Sequence, residues 1–296
     1  MIRVSGLRKA YGSLVAVDDV SFEIEPGETF GLLGPNGAGK TTTMLMLVGA
    51  LRPDSGQIHI NGAVDPTRAD VRQQIGIAPQ SLALYGELTG EENLAFFGQL
   101  YGLSGDALRR RVDQCLEFAG LADRRRHRVK TYSGGMQRRL NLACGLVHEP
   151  RVLLLDEPTV GVDPQSRSHL FDSIEQLKRE GRTIIYTTHY MEEAQRLCNR
   201  VAIMDHGRIL ALDTVEELIR QHGGRSVVTA ELERPPADPS SLPGKLEGTS
   251  LRFETHAPLE DVGRLAQTGL RFTTLHVDRA DLESVFLTLT GRRLRD

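Results

Sequence analysis

Residues 34–41 constrain the fold more than any other stretch of this chain. They read Gly-Pro-Asn-Gly-Ala-Gly-Lys-Thr, which fits the pattern G-x-x-x-x-G-K-T. The apolar residues 29–33 before them predict a buried parallel strand, and residues 42–48 after them predict a helix. Glycines let a backbone turn its N–H groups inward, and a helix N-terminus adds partial positive charge. The stretch therefore predicts a cradle for phosphate groups rather than an ordinary glycine-rich turn.

Composition places the chain among soluble globular proteins. Its 296 residues are 40% apolar and 25% charged, enough for one large domain plus a small one or for two of medium size. The net charge of −3 gives no general attraction to nucleic acid or anionic membrane. Three widely spaced cysteines argue against a disulfide framework or zinc site and favour a reducing compartment.

The sequence predicts no membrane span of its own. The start lacks the apolar segment of a signal peptide, and the longest apolar run covers only residues 44–51. A membrane-spanning helix needs about 20 apolar residues. If this protein serves a membrane process, we expect another chain to supply the membrane part.

The order of elements predicts a two-part chain. Alternating residues 20–24 and 57–60 predict antiparallel strands, and residues 81–148 predict a helical insert that opens on a capping box at Thr89 and Glu92. A Gly-Gly joint at residues 223–224 precedes a small α+β unit, with a loop or edge segment at 235–241. We therefore predict an α/β domain over residues 1–222 and a small α+β domain over residues 223–296.

Polar residues end two solid apolar runs. Asp156 and Glu157 follow the run 152–155, and His189 follows the run 183–188. Ligands of parallel sheets bind beyond the carboxyl ends of the strands, and an unpaired carboxylate is costly to bury there for stability alone. We expect Asp156 to hold Mg²⁺ and Glu157 to polarise an attacking water, whereas His189 is equally compatible with a structural role.

Three other features are weak signals when taken alone. Ser133, Gly134 and Gly135 at a predicted helix start could bind an anion, but such triplets also occur in ordinary loops. Six basic or near-basic side chains occur within residues 124–130, which favours a solvated loop over a nucleic-acid patch because no aromatic residues are interleaved. Tyr11 lies in a predicted loop and by itself suggests a surface tyrosine.

The order of these features resembles the ATP-binding subunit of an ABC transporter, over roughly residues 1–220. The features are, in chain order, Tyr11, residues 34–41, Gln80, residues 133–135, residues 153–157, residues 161–163 and His189. The resemblance implies a P-loop NTPase core with a mixed, largely parallel sheet and flanking helices. An antiparallel β subdomain, the helical insert and the small C-terminal domain complete that α/β architecture.

The resemblance implies a role for each matching residue, with ATP and Mg²⁺ as cofactors. Glu157, His189 and Gln80 would be catalytic, and Thr41, Gln80 and Asp156 would hold the metal. Tyr11 would stack on adenine. The other expected ATP-binding residues are Gly34, Pro35, Asn36, Gly37, Ala38, Gly39, Lys40, Thr41, Thr42, Ser133, Gly134, Gly135 and Asp163.

The resemblance also implies partners. A second copy of the cassette, or a related cassette, would close residues 133–135 over the ATP of the first, and a separate integral membrane permease would dock at the cytoplasmic face of the membrane. No nucleic acid is expected. Tyr132 and Met136 replace the outer residues of the usual L-S-G-G-Q signature, a form similar to that of daunorubicin-resistance-type exporters. The C-terminal domain is expected to stabilise the closed dimer or the assembly.

Three alternatives remain open from the sequence. One is a soluble ABC ATPase that acts on nucleic acid or ribosomes, suggested by the run 124–130. A second is a regulatory P-loop switch, against which the Ser-Gly-Gly signature and the Asp-Glu pair argue. A third is an importer subunit with a regulatory tail. The sequence does not identify a transported compound.

Overall fold

The computed structural model describes residues 1–235, 239, 242–278 and 280–291. By their contacts they divide into two units, Met1–Thr214 and the residues from Val215 onward. The predicted domain boundary between residues 222 and 223 stays a prediction. Among the described residues, no helix combines the length and the apolar character that crossing a membrane requires.

The first unit alternates strands and helices. Its strands are β1 (Ile2–Tyr11), β2 (Leu14–Ile24), β3 (Thr29–Leu33), β4 (Ser55–Ile60), β5 (Ile75–Ala78), β6 (Val152–Asp156), β7 (Thr183–Thr188), β8 (Arg200–Asp205) and β9 (Arg208–Thr214). Its α-helices are α1 (Lys40–Leu47), α2 (Ala69–Arg72), α3 (Gly90–Leu100), α4 (Gly105–Phe118), α5 (Gly134–Leu146), α6 (Pro164–Arg179) and α7 (Met191–Leu197).

A six-stranded sheet forms the centre of this unit, in the order β5-β6-β7-β3-β8-β9. Its neighbouring strands run parallel except for β9, which pairs antiparallel with β8. Every residue of β3, β6 and β7 is buried, as expected for apolar runs covered on both faces. The carboxyl ends of these three adjacent strands therefore bring residues 34, 157 and 189 to one edge of the sheet.

A three-stranded antiparallel sheet, β2-β1-β4, packs on the first through a shared apolar core. Phe22 on β2 stacks on Phe30 of β3 with ring centroids 5.0 Å apart. The prediction of a loop at Tyr11 was wrong, because β1 continues to Tyr11 and pairs there with Leu14. This sheet and its long edge hairpin place Tyr11 beside the central sheet.

The predicted helical insert is formed by α3, α4 and α5. The capping box that opens α3 is present: Thr89 Oγ1 accepts from the Glu92 N–H at 3.2 Å, and Glu92 Oε2 accepts from the Thr89 N–H at 2.8 Å. Leucines, valines and the buried Cys115 and Cys144 form a separate core for these helices. Burial raises the pKa of the Cys115 thiol to about 11, so this cysteine is a protonated packing residue.

The second unit is a small α+β fold. Its elements are α8 (Val215–His222), β10 (Ser226–Leu232), β11 (Lys245–Glu247), β12 (Ser250–Thr255), α9 (Pro258–Gln267), β13 (Phe272–Asp278) and α10 (Leu282–Thr290). The strands form an antiparallel sheet in the order β11-β12-β10-β13, with a core around Val228, Leu251 and Phe253. Gly291, with φ of 70°, ends α10 as predicted. Residues 236–238 and 240–241 of the predicted loop lie outside the described residues.

Candidate active site

A cleft of about 500 Å³ opens where the central sheet, the loop after β3 and the β1–β2 hairpin meet. Its lining residues are Tyr11, Leu14, Val15, Ala16, Asn36, Gly37, Ala38, Gly39, Lys40, Thr41, Thr42, Gln80, Glu157 and His206. The cleft combines an exposed aromatic ring at one side with a glycine-rich loop and two buried charges at the other. Its volume and its charges suit a small, strongly anionic ligand with an aromatic part.

The loop after β3 is shaped by glycines that touch neighbouring backbone. A Cβ at Gly34 would lie 2.2 Å from the Met204 carbonyl oxygen, and one at Gly39 would lie 2.4 Å from the Ala16 carbonyl oxygen. Gly39 has φ of 102° and caps α1, while a Cβ at Gly37 would meet nothing within 4 Å. The loop is thus fixed at its ends and open at its middle, as a phosphate cradle at a helix N-terminus requires.

Lys40 is a buried cation with three acceptors. Its Nζ donates to the carbonyl oxygens of Gly34 at 2.7 Å and Pro35 at 3.0 Å, and lies 3.1 Å from Glu157 Oε1. The side chains of Lys40 and Glu157 are each only 4% exposed. A buried charge is tolerated where it is paired and hydrogen-bonded, and these contacts meet that requirement.

Glu157 is held in an unusual backbone conformation at the centre of the site. Its φ is 44°, a region that residues with side chains rarely adopt and that is often found at functional sites. Its carboxylate meets Lys40, accepts from Gln80 Nε2 at 3.1 Å, and lies 3.4 Å from His189 Nδ1. That histidine nitrogen is buried without a hydrogen bond of good geometry, so it is an unsatisfied group aimed at this carboxylate. Three predicted site residues therefore meet at Glu157.

Asp156 and Thr41 provide neighbouring oxygen atoms. The Thr41 hydroxyl donates to Asp156 Oδ1 at 3.3 Å, and the same oxygen accepts from the Thr187 hydroxyl at 2.5 Å. Hydroxyl and carboxylate oxygens are the ligands that Mg²⁺ prefers, usually together with phosphate and water. The residues present therefore fit a magnesium ion at this position, next to the phosphate cradle.

Tyr11 lies at the other side of the cleft with half of its surface exposed. Lys9 Nζ lies 5.9 Å from its ring centroid, a cation–π contact. Four further lining residues were not predicted from the sequence: Leu14, Val15 and Ala16 on β2, and His206 in the β8–β9 turn. Nothing in their local sequence distinguishes these residues, because only the packing of separate strands brings them to the cleft.

The Ser-Gly-Gly segment is not among the residues that line this cleft. Ser133 caps α5 by accepting from the Met136 N–H at 3.3 Å, and Gly134 faces open space. A Cβ at Gly135 would lie 3.3 Å from Asp163 Oδ2, so the segment and Asp163 are neighbours. The backbone N–H of Ser166 lowers the pKa of the exposed Asp163. Within one copy of the described chain, Ser133 and Gly134 form an exposed helix end apart from the cleft, and Gly135 is buried behind them.

Comparison with known proteins gives one consistent result. Residues 17–160 match the family described as ABC transporter. The whole chain is 39% identical to all of the linearmycin resistance ATP-binding protein of Bacillus subtilis. It is 42% identical to the Nod factor export ATP-binding protein I of Cupriavidus metallidurans, over 100% of this chain and 99% of that protein.

One solved structure has the same fold and contains a bound nucleotide. The ATP-binding cassette MJ0796, in a dimeric post-hydrolysis state bound to ADP and Pi, is 25% identical with a TM-score of 0.67. The match covers 72% of this chain and 98% of that chain. The predicted fold class is confirmed, and so is the predicted resemblance. This chain belongs to the ABC transporter family, as one of its ATP-binding and ATP-hydrolysing subunits.

Proposed function

We propose that this chain powers export through a separate membrane-spanning partner by ATP-driven closure of two copies. The observation that carries the hydrolytic part is the convergence of Lys40, Gln80 and His189 on the buried Glu157 carboxylate, next to the phosphate cradle. A carboxylate in that position is suited to orient a water and accept its proton. The exporter part is supported by the names of the relatives, which are a resistance protein and an export protein.

Lys40 exchanges its partners when ATP binds to this site. Its ammonium has three protons and meets three acceptors, two carbonyl oxygens and Glu157 Oε1. The β- and γ-phosphates carry more negative charge than those acceptors, so ATP in the cleft draws Lys40 toward the phosphates. Glu157 then loses its cation and becomes a better proton acceptor for the attacking water. His189, whose Nδ1 lacks a good partner, is free to contact the γ-phosphate.

Thr41 and Asp156 would hold Mg²⁺, with Gln80 near it. Bound there, the ion neutralises charge that builds up on the phosphate oxygens during phosphoryl transfer. Asp156 is kept in place by the Thr187 hydroxyl of the adjacent strand, which fixes one carboxylate oxygen. Because Thr187 also accepts from the Glu157 N–H at 3.0 Å, one strand orients both acids.

Two copies would complete each ATP site. The exposed Ser133 and Gly134 at the N-terminus of α5 offer a hydroxyl, free N–H groups and the helix dipole, which suits a γ-phosphate. They do not reach the cleft of their own copy, and Asp163 lies beside them. A two-fold, head-to-tail dimer would bring this helix end over the ATP held by the partner.

The membrane partner would dock on an apolar surface of the helical insert, formed by Tyr85, Phe96 and Leu100. Tyr85 and Leu100 are 50% and 66% exposed, and Tyr85 meets Phe96 edge to face at 4.9 Å between ring centroids. An exposed apolar group of this kind is typical of a protein interface. We propose that a cytoplasmic loop of the partner covers it at the membrane surface.

A set of hydrogen bonds connects that surface with the site. Asn141 on α5 donates to the Pro79 carbonyl oxygen at 3.2 Å and accepts from the Ala83 N–H at 3.1 Å. Arg138, one turn earlier, donates to the Gln80 carbonyl oxygen and to that of Val160 at 3.3 Å. Helix α5, which Ser133 caps, therefore holds the loop that carries Gln80, so movement at the partner reaches the Glu157 carboxylate.

The arginine-rich run does not favour a nucleic-acid partner. Arg125 pairs with Glu91 at 2.9 Å and with Asp113 at 2.8 Å. Arg128 and Lys130 both pair with Glu87, at 3.5 and 2.9 Å. Three of the five arginine and lysine side chains of the run are therefore paired with carboxylates at the surface of the helical insert, which reduces the positive potential available to phosphate backbones.

Capture from native membranes tests the transport proposal. The full chain should bring down a membrane protein with about six apolar spans of about 20 residues, and deleting its gene should abolish export. Truncation of residues 225–296 should reduce this capture while ATP binding stays unchanged, since the cleft lies wholly within residues 11–206. If the chain instead purifies with ribosomes or nucleic acid, the soluble ATPase alternative would replace the transport proposal. A truncated chain that is captured normally would contradict the assembly role of the second unit.

Replacing Tyr11 with alanine should weaken ATP binding about 5- to 150-fold, which corresponds to the loss of one base–aromatic stack. Tyr11→Phe should bind nearly as well as wild type because the ring is kept, and Tyr85→Ala removes an equally exposed tyrosine outside the cleft. Equilibrium titration with a fluorescent ATP analogue measures all three. Equal affinities of the Tyr11→Ala and Tyr85→Ala proteins would exclude Tyr11 from the adenine site.

A further inference from the structure

A second buried carboxylate, Glu193, lies outside the cleft and takes no part in the mechanism above. It lies in α7, and its side chain is 0% exposed. Its Oε1 accepts from the Thr159 hydroxyl at 2.6 Å and from Arg167 Nε at 3.1 Å. Its Oε2 accepts from the hydroxyls of Tyr186 at 2.8 Å and Thr188 at 2.7 Å. Among the described residues, Arg167 is the one cation paired with it.

The partners of Glu193 adjoin three proposed site residues. Thr159 follows Glu157 by two positions, and Thr188 immediately precedes His189. Arg167 lies in the first turn of α6, where its N–H donates to the Asp163 carbonyl oxygen at 2.9 Å. One carboxylate therefore ties together the segment after Glu157, the segment before His189 and the start of the helix that Asp163 caps.

Secondary contacts extend this network to the residues around His189 and to the phosphate loop. Thr188 Oγ1 accepts from the Tyr190 N–H at 2.9 Å, and the Thr188 carbonyl oxygen accepts from the Gly34 N–H at 3.3 Å. The Arg167 guanidinium lies over the Tyr190 ring at 4.9 Å from its centroid. Glu193 thus holds Thr188, which precedes His189, by a direct hydrogen bond. It holds Tyr190, which follows His189, through Thr188 and Arg167.

We propose that Glu193 is a positioning residue for ATP hydrolysis, which holds Glu157, His189 and the Asp163 segment in one arrangement. It touches no reacting atom and acts through Thr159, Thr188 and Arg167. Buried hydroxyls and a guanidinium that all donate to one carboxylate have fixed rotamers, because any other orientation leaves a polar group unpaired. The inference rests on the proposed roles of Glu157 and His189.

The substitution Glu193→Gln tests the role of the charge at nearly constant volume. An amide cannot accept from both pairs of donors, since its nitrogen carries two protons of its own. If that nitrogen faces Thr188, the threonine oxygen must accept from it while still accepting from the Tyr190 N–H, and its own proton loses its partner. Small displacements of catalytic groups cost up to about 100-fold in rate. We therefore expect kcat to fall roughly 10- to 100-fold while the affinity of the monomer for ATP stays within about twofold.

A matched control separates positioning from stability. Glu28 is also a buried glutamate paired with an arginine, Arg200 at 3.3 Å, but it lies at the amino end of β3, away from the cleft. Glu28→Gln should lower the melting temperature without changing kcat. A Glu193→Gln protein that is destabilised like the control and hydrolyses ATP at the wild-type rate would overturn the inference. Absence of hydrolysis by the wild type would instead refute the proposed function.

A milder pair of variants keeps the test decisive if Glu193→Gln does not fold. Thr188→Val and Tyr186→Phe each remove one hydroxyl that donates to Glu193 Oε2. Thr188 adjoins His189, whereas Tyr186 does not, so we expect the larger loss of kcat for Thr188→Val at similar stability. Wild-type rates for both variants would show that the network serves folding alone and would overturn the inference.

Discussion

Replacing Glu157 with glutamine is expected to abolish ATP turnover while ATP binding is kept. The amide cannot take a proton from water, and loss of such a general base costs about 10²–10⁴-fold in rate. Binding is kept because Lys40 retains both loop carbonyls as partners, and because one negative charge beside the phosphates is removed. ATP should therefore hold two copies of the variant together, a state that size-exclusion chromatography with and without nucleotide detects.

Glu149→Gln is the matched control for this experiment. Glu149 also has a positive φ, 56°, and it precedes β6 where Glu157 follows it. It pairs with Arg111 at 3.2 Å and does not line the cleft. The control should hydrolyse ATP at the wild-type rate and release its dimer after turnover. Wild-type turnover by Glu157→Gln would remove Glu157 from the reaction and leave His189 as the group to test next.

The buried strands of the central sheet could be predicted from sequence because each is a short, uninterrupted apolar run. β3 and β7 were predicted at their observed bounds, and the acids that follow β6 were predicted from the abrupt change of polarity after it. The phosphate loop was predictable because its glycine spacing is itself a backbone requirement. The residue roles assigned there stay predictions, although the geometry brings Lys40, Gln80, Glu157 and His189 together.

Other parts of the site depend on tertiary contacts that no local pattern encodes. Tyr11 belongs to a strand, but its local sequence suggests a loop because glycine follows it and pairing with β2 decides the outcome. In the sequence, nothing distinguishes Glu193 from other acidic residues near the start of a helix. Its partners lie as far as 34 positions away, and only the fold shows that they share one carboxylate. The φ of 44° at Glu157 is likewise imposed by its surroundings.

Replacing Ser133 with arginine is expected to abolish hydrolysis without affecting ATP binding to the single chain. Ser133 is exposed at the start of α5 and lies outside the cleft of its own copy, so the monomer's site is untouched. In a dimer, the long side chain would occupy the space between α5 and the partner's γ-phosphate, and the sites could not close. Steady-state ATPase assays and equilibrium binding of ATP measure the two effects separately.

Ser104→Arg controls for the change itself, because Ser104 is another exposed serine directly before a helix of the insert, α4. The Ser133 hydroxyl accepts a capping hydrogen bond that Ser104 does not make, so Ser133→Arg should lose about 1 kcal/mol more stability than the control, and the control should keep the wild-type turnover. Normal turnover by Ser133→Arg would argue against a site shared between copies.

Mixing two inactive variants gives the sharpest test of sharing. Ser133→Arg inactivates the helix end and leaves the phosphate loop intact. Lys40→Ala inactivates the phosphate loop and leaves the helix end intact. In a head-to-tail dimer of one copy of each, the loop of the first and the helix end of the second form one intact site. Random pairing should then restore up to about a quarter of the wild-type rate if the two sites act independently. A site contained within one chain predicts no restoration at any mixing ratio, so recovered activity can arise only across the interface.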